Sequence, residues 1–313
     1  MKAHDGFLVL SLLALAGCGG SSTNSGIGGG DAGAGDAAAL FGDAAPTTTG
    51  TDDCAEAAKL VYVVSSAYDL YSFYPATRTF KKVGHLACPD PGQDVAIGGK
   101  TATPNSMAVD RQGYAWVSYT SGKLFKVSTA DASCQATTFV PGQSGVFKFG
   151  MAFSTNGGAG TKSESLYIVG IRDTTSGVVG QGLATIDLST MKLRTIGDFS
   201  GALAQKGAEL TGTGDGKLWG FFTTSPASLA AIDKSTGATS NVQPLTGVET
   251  GTAWAFSFWG GDFWFYTAPE NQPSSVTQLK TSGGGSLGVA VPNVGFRIVG
   301  AGVSTCAPLV PPK

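Results

Sequence analysis

From residue 61 to residue 304, short apolar runs alternate with clusters of Gly, Ser, Thr, Asn and Asp, and the runs recur in a fixed order. One pattern is a small or apolar residue, then Trp or Tyr, then usually a second apolar residue: Val61-Tyr62-Val63, Ala115-Trp116-Val117, Leu166-Tyr167-Ile168, Leu218-Trp219-Gly220 and Phe263-Trp264-Phe265. After each comes a loop and a second pattern opening on Leu or Val, at Leu70, Leu124, Leu183, Leu229 and Val276, at intervals of 54, 59, 46 and 47 residues. Runs this short, rich in aromatic and branched residues and bounded by turn formers, read as strands. A third strand is predicted after each turn, over 80–86, 135–140, 192–199, 239–245 and 286–291, and a further one before four of the aromatic runs, over 106–110, 150–154, 209–213 and 254–258. In three of those four the aromatic stands six residues past the strand end, at Trp116, Trp219 and Trp264.

Four antiparallel strands per unit, repeated, describe an all-β, five-bladed β-propeller. The first unit lacks a leading strand, while a strand at 296–304 belongs to no unit. A ring left open would expose two unpaired sheet edges. The C-terminal strand is therefore expected to become the innermost strand of blade one. One aromatic per blade at the same strand position is expected to fill the gap between neighbouring sheets. Four cysteines lie in this region, Cys54, Cys88, Cys134 and Cys306, and sequence alone allows three pairings. Ring closure favours Cys54–Cys306, which leaves Cys88–Cys134 by elimination. The strand directions place that second pair towards opposite faces unless the 88–104 loop folds back.

The N-terminus has a different texture. Residues 7–16 form an apolar run too short to span a bilayer but suited to a signal-peptide core. It ends in Leu15-Ala16-Gly17-Cys18, which resembles the lipobox of bacterial lipoproteins. That resemblance implies cleavage after residue 17 and lipid attachment at Cys18, with the membrane as a partner through the anchor. Gly19, not Asp, follows the cysteine, which by the sorting rule of such lipoproteins implies the outer membrane. Residues 19–52 are almost wholly Gly, Ala, Ser, Thr and Asp; such a stretch cannot bury enough apolar surface to fold and is expected to be a disordered tether. The expected organisation is a signal peptide at 1–17, an anchor and linker at 18–53, and a propeller at 54–313.

Composition excludes some functions. With 20 basic and 22 acidic residues, the formal net charge of −2 provides no basic footprint for nucleic acid. The mature chain has one histidine, His85, expected on an outermost strand, and no Gly-x-Ser-x-Gly, His-Glu-x-x-His or phosphate-loop motif. No cofactor is implied. Pro104-Asn105-Ser106-Met107-Ala108-Val109-Asp110-Arg111-Gln112-Gly113 resembles the strand-and-turn signature of NHL and gluconolactonase-like propellers, and Leu229-Ala230-Ala231-Ile232-Asp233-Lys234-Ser235-Thr236-Gly237 is similar to quinoprotein-like repeats. In the first group a divalent metal can sit at the channel mouth on Asn, Asp and Glu; only Asn105 carries over. Asp110, in an Asp-x-x-Gly turn, is expected to accept backbone N–H groups.

The starts of the innermost strands should ring one mouth of the channel, where the chain offers Asn105, Glu209, Trp254 and Arg297. Longer loops at 88–104, 172–182 and 267–275 are expected on the same face, where binding on a rigid scaffold concentrates. Such a set suits a small polar ligand with one apolar face, such as a sugar or an organic acid. A direct Glu209–Arg297 pair would instead make the mouth a structural plug. The expected function is a non-catalytic cell-envelope binding module for a protein, glycan or small polar ligand; the alternative is a metal-dependent lactonase or hydrolase of the gluconolactonase-like kind.

Overall fold

The computed structural model describes residues 54–174, 177–282 and 285–312; Cys18 and the expected tether lie outside them. Blade one holds β1 (Val61–Ser65), β2 (Asp69–Tyr74) and β3 (Thr79–His85). Blade two holds β4 (Pro104–Val109), β5 (Tyr114–Tyr119), β6 (Leu124–Ser128) and β7 (Cys134–Ala136). Blade three consists of β8 (Lys148–Thr155), β9 (Glu164–Thr174), β10 (Gly177–Asp187) and β11 (Lys192–Gly197). Blade four consists of β12 (Ala208–Gly212), β13 (Leu218–Phe222), β14 (Ser228–Ile232) and β15 (Thr239–Pro244), and blade five of β16 (Ala253–Trp259), β17 (Asp262–Ala268), β18 (Ser275–Lys280) and β19 (Ser286–Val291). The last strand, β20 (Ile298–Gly302), returns to blade one and pairs antiparallel with β1, Tyr62 opposite Gly302 and Val63 opposite Ala301. The result is five four-stranded sheets, closed by the C-terminal strand.

The innermost strands β20, β4, β8, β12 and β16 pack against one another around the ring, and glycine sets how closely. A Cβ on Gly212 would lie 1.9 Å from Phe153 O, and one on Gly150 would lie 2.3 Å from Ala208 O. Both contacts are to the backbone of a neighbouring blade, which has no rotamer to yield. Five apolar clusters fill the spaces between adjacent blades, and each receives one of the repeated aromatics. Tyr62 packs between blades one and two, Trp116 between two and three, Tyr167 between three and four, Trp219 between four and five, and Trp264 between five and one. All but the half-buried Trp219 are buried. Asp110 secures its turn as expected, accepting Tyr114 N–H at 2.8 Å and the Trp116 indole N–H at 2.9 Å.

Both disulfides form as the sequence suggests, Cys54–Cys306 across 252 residues and Cys88–Cys134 across 46. By the loop-entropy model they contribute about 5 and about 4 kcal/mol respectively, as upper figures. The second pair overcomes the apparent opposition of faces through sheet twist. Adjacent strands rotate by roughly 20–25° each, so the end of one blade's outer strand swings against the outer hairpin of the next. Gly84, near the end of β3, lies against Asp131 and Ala132, and Gly197, ending β11, lies against Thr236. Arg78 reaches Ala290 O across the blade five to blade one junction. Cys88–Cys134 is the covalent form of this recurring contact.

Two expectations need correction. The outer strand of blade two is three residues long, not the span 135–140. The chain turns away where the Thr137 hydroxyl donates to Leu124 O, and Gly142 adopts a positive φ of 84°. The expected loop at 172–182 is instead largely strand, β9 running to Thr174 and β10 starting at Gly177, with Arg172 opposite Val179. The connector after blade three supports this longer hairpin: Gly180 N–H donates to Gln205 O at 2.8 Å, in a space where a Cβ on Gly180 would meet Lys206 O at 2.0 Å.

Candidate functional site

Because every innermost strand starts at the same end of the ring, residues from all five blades line a cavity of about 430 Å³ there. Blade one contributes Val299, blade two Pro104 and Asn105, blade three Lys148 and Ile171, blade four Glu209 and blade five Trp254. Three of the four residues read from the sequence therefore meet at this mouth. Arg297 does not line the cavity. It precedes β20 by one residue, and its guanidinium donates to Pro269 O, to Gln272 O (3.2 Å) and to the Thr252 hydroxyl (2.5 Å). It pins the 269–272 turn to the rim, so no Glu209–Arg297 plug forms. The loop carbonyls reached Arg297 first.

Glu209 is 3% exposed. The Ser106 hydroxyl donates to its Oε2 at 2.7 Å, and Met151 N–H also donates to the carboxyl. The close approach of β12 to β8 at Gly150 brings that amide within reach. Burial pushes the Glu209 carboxyl well above the usual carboxylate range, against the two donors, and no cation counts among the influences on it. Asn105 is partly committed to structure, since its Nδ2 donates to Phe149 O at 3.2 Å and ties blade two to blade three. The Trp254 indole nitrogen is buried with no hydrogen-bond partner. A buried N–H left unpaired is uncommon and marks a place where a partner is missing.

Beside the mouth runs the connector 86–103, closed on itself by the Gln93–Thr101 bridge and reaching the cavity lining at Thr103. Its Asp94 accepts N–H groups of Ala96 (2.7 Å) and Ile97 (3.0 Å). Although partial burial works the other way, the Thr120 hydroxyl, those two amides and the Lys148 charge together hold the Asp94 carboxyl low. Lys148 escaped the sequence reading because strand β8 was expected to begin at residue 150; a start two residues earlier places it at the mouth.

The far mouth is plugged. Arg111, 8% exposed, donates through its guanidinium to the Thr305 hydroxyl (3.1 Å), which donates to Glu164 Oε2 (2.7 Å), while Arg111 N–H donates to Glu164 Oε1 (2.9 Å). Burial, assisted by the nearby Asp110 charge, raises the Glu164 carboxyl from 4.5 to about 7, against its hydrogen bonds and Arg111. A carboxyl raised in the folded state takes up protons that the unfolded chain has already lost, so stability falls as pH rises from 4.5 to about 7 and then levels. Chemical denaturation across that window is expected to show this slope in the wild type and a flatter one in Glu164→Gln. No signal in the sequence pairs these residues, which come from three blades.

His85 stands exposed at the end of the outer strand β3, its Nδ1 3.0 Å from Asp69 Oδ1 and away from the cavity lining. Among the described residues, no group of three or more His, Cys, Asp and Glu side chains is placed to hold a metal ion. At the cavity the side-chain oxygens are one buried carboxyl, the amide of Asn105, already engaged through its Nδ2, and the hydroxyls of Thr103, Thr120 and Thr252, of which Thr120 and Thr252 already accept hydrogen bonds. Hard divalent cations take six or more oxygens, and this set does not fit one.

No family model matches the chain. No curated protein matches it either. Among solved structures, TolB from Acinetobacter baumannii aligns with 78% of this chain at 13% identity and a TM-score of 0.43. The chain spans 65% of TolB's length. A gluconolactonase from Xanthomonas campestris aligns with 74% of this chain and 71% of its own at 12% identity and a TM-score of 0.43. A protein of unknown function from Bacteroides caccae aligns with 78% of this chain and 97% of its own, with 10% identity and a TM-score of 0.41. The chemistry of the mouth is accordingly argued from its own residues.

Proposed function

We propose that this chain is a cell-envelope lipoprotein, anchored through Cys18 to the outer membrane, whose propeller is a non-catalytic binding module. It takes a small polar ligand with one apolar face into the cavity at the innermost-strand mouth. The observation that carries the reading is the convergence of all five blades on one 430 Å³ cavity that combines a buried carboxyl, Glu209, with the indole of Trp254. That volume is in the range of small-molecule sites, which are mostly apolar with a few placed polar groups. Two disulfides support an oxidising compartment outside the cytoplasm. The plugged far mouth leaves the ring open to ligand at one end.

The test is a thermal-shift panel of monosaccharides, carboxylic acids and amines on the whole protein and on Val299→Trp, which fills the cavity. At least one class is expected to raise the wild-type transition at millimolar concentration and to leave the variant unmoved. A flat response to the entire panel, or equal shifts in both proteins, sinks the reading. In cells, Cys18→Ser is expected to release the protein from the membrane fraction or leave it as uncleaved precursor, and a wild-type mature N-terminus without lipid on residue 18 by mass spectrometry would sink the anchor.

A further inference from the structure

Glu209 has hydrogen-bond donors suited to a carboxylate but, among the described residues, no cationic partner. Its two hydrogen-bond contacts, the Ser106 hydroxyl and Met151 N–H, both donate to it, an arrangement that favours a carboxylate. Yet among the described residues no cationic side chain supplies the counter-charge that usually accompanies a buried carboxylate. Arg297, the guanidinium nearest in the strand pattern, is committed to Pro269, Gln272 and Thr252. Lys148 stands on the cavity wall, where its charge acts on Asp94 of the neighbouring connector. The same wall includes Trp254, an indole being the side chain that best attracts a cation, with Ile171 and Val299 as apolar lining.

The geometry points to a protonated organic amine as the ligand: its ammonium group supplies the missing counter-charge to Glu209 and its apolar body rests against Trp254, Ile171 and Val299. This deepens the binding-module reading and rests on it. A primary ammonium has N–H groups to donate to the carboxylate, forming a charge-assisted pair inside the ring. A sugar would leave the buried carboxyl uncharged and its two donors poorly used. Burial raises the Glu209 carboxyl, and pairing with an ammonium favours its ionised form, so whatever proton the free protein holds there is released as the amine enters. Among the described residues, Lys148 shares the lining with Glu209, Asp94 stands in the adjoining connector, and Arg297 and Glu270 stand at the 269–272 turn. None is a histidine, the side chain whose ordinary titration falls near neutrality, and Glu209→Gln shows whether a released proton comes from Glu209.

Isothermal titration of the whole protein with benzylamine, benzyl alcohol and benzoate, three probes of one shape and three charges, tests this. Benzylamine is expected to bind at least roughly tenfold more tightly than the other two, to release a proton (read as a binding enthalpy that differs between phosphate and Tris), and to tighten by up to about tenfold per pH unit between pH 6 and 8. Glu209→Gln is expected to lose roughly tenfold or more in affinity together with the proton release. Preferential binding of benzyl alcohol or benzoate that Val299→Trp abolishes would overturn the amine while leaving the cavity reading standing, as would binding of calcium in place of benzylamine. Benzylamine affinity unchanged in Glu209→Gln would also overturn it. If none of the probes binds, the amine and the cavity reading fall together.

Discussion

Removing residues 296–313 is expected to abolish the cooperative unfolding transition of the whole propeller. The deleted segment carries β20, the innermost strand of blade one, and without it β1 becomes a bare edge at the centre of the ring. Ile298, Ala301 and Val303 leave the cluster between blades five and one, and Val299 leaves the one between blades one and two. Each fully buried branched side chain contributes about 1.5–3 kcal/mol, and loss of Cys306 removes about 5 kcal/mol more at most. Together these approach or exceed the roughly 5–15 kcal/mol by which domains are stable. Calorimetry and near-ultraviolet circular dichroism provide the check. Cys306→Ser alone, as the control, is expected to lower the midpoint but keep one cooperative transition. A truncated chain with its full transition would show that the other four blades need no closure.

Gly212→Val is expected to destabilise the propeller by about 3 kcal/mol or more, the upper end for overpacking. The added Cβ would sit 1.9 Å from Phe153 O, with Ser154 Cβ at 2.8 Å. The obstructing oxygen belongs to the β8 backbone, held by its pairing with β9. The ring cannot widen at one junction without straining the other four. Gly288→Val, on the outer strand β19 where nothing lies within 4 Å of the built Cβ, is the matched control and should be close to neutral. Equal midpoints for the two variants in urea would mean that the inner strands tolerate displacement.

Much of this architecture could be read along the chain because it repeats. A single strand of five residues is ambiguous, but Trp116, Trp219 and Trp264 at equal distance past a preceding strand mark one unit copied around a ring. The unclaimed strand near the C-terminus then had a single place to go. Alternation also brought Asn105, Glu209 and Trp254 to one mouth, since the starts of equivalent strands must share an end. Arg297 shows where this logic stops. Strand parity says nothing about a side chain just outside its strand, and there the choice fell to the carbonyls of the 269–272 turn.

By itself, then, the sequence determined the fold class, the blade count, the closure and the Cys54–Cys306 staple, all of which follow from short-range periodicity and the need to pair every edge. Only the tertiary structure decided how the blades meet. Accumulated twist, which depends on packing in three dimensions, brought Cys88 to Cys134 and Gly84 to Asp131. The same blade-to-blade packing assembled the Arg111–Thr305–Glu164 plug, and drew β12 against β8 so that Glu209 is buried between two donors with no cation beside it among the described residues. The state of a buried carboxyl is set by what surrounds it, and here the surroundings come from strands far apart in the chain.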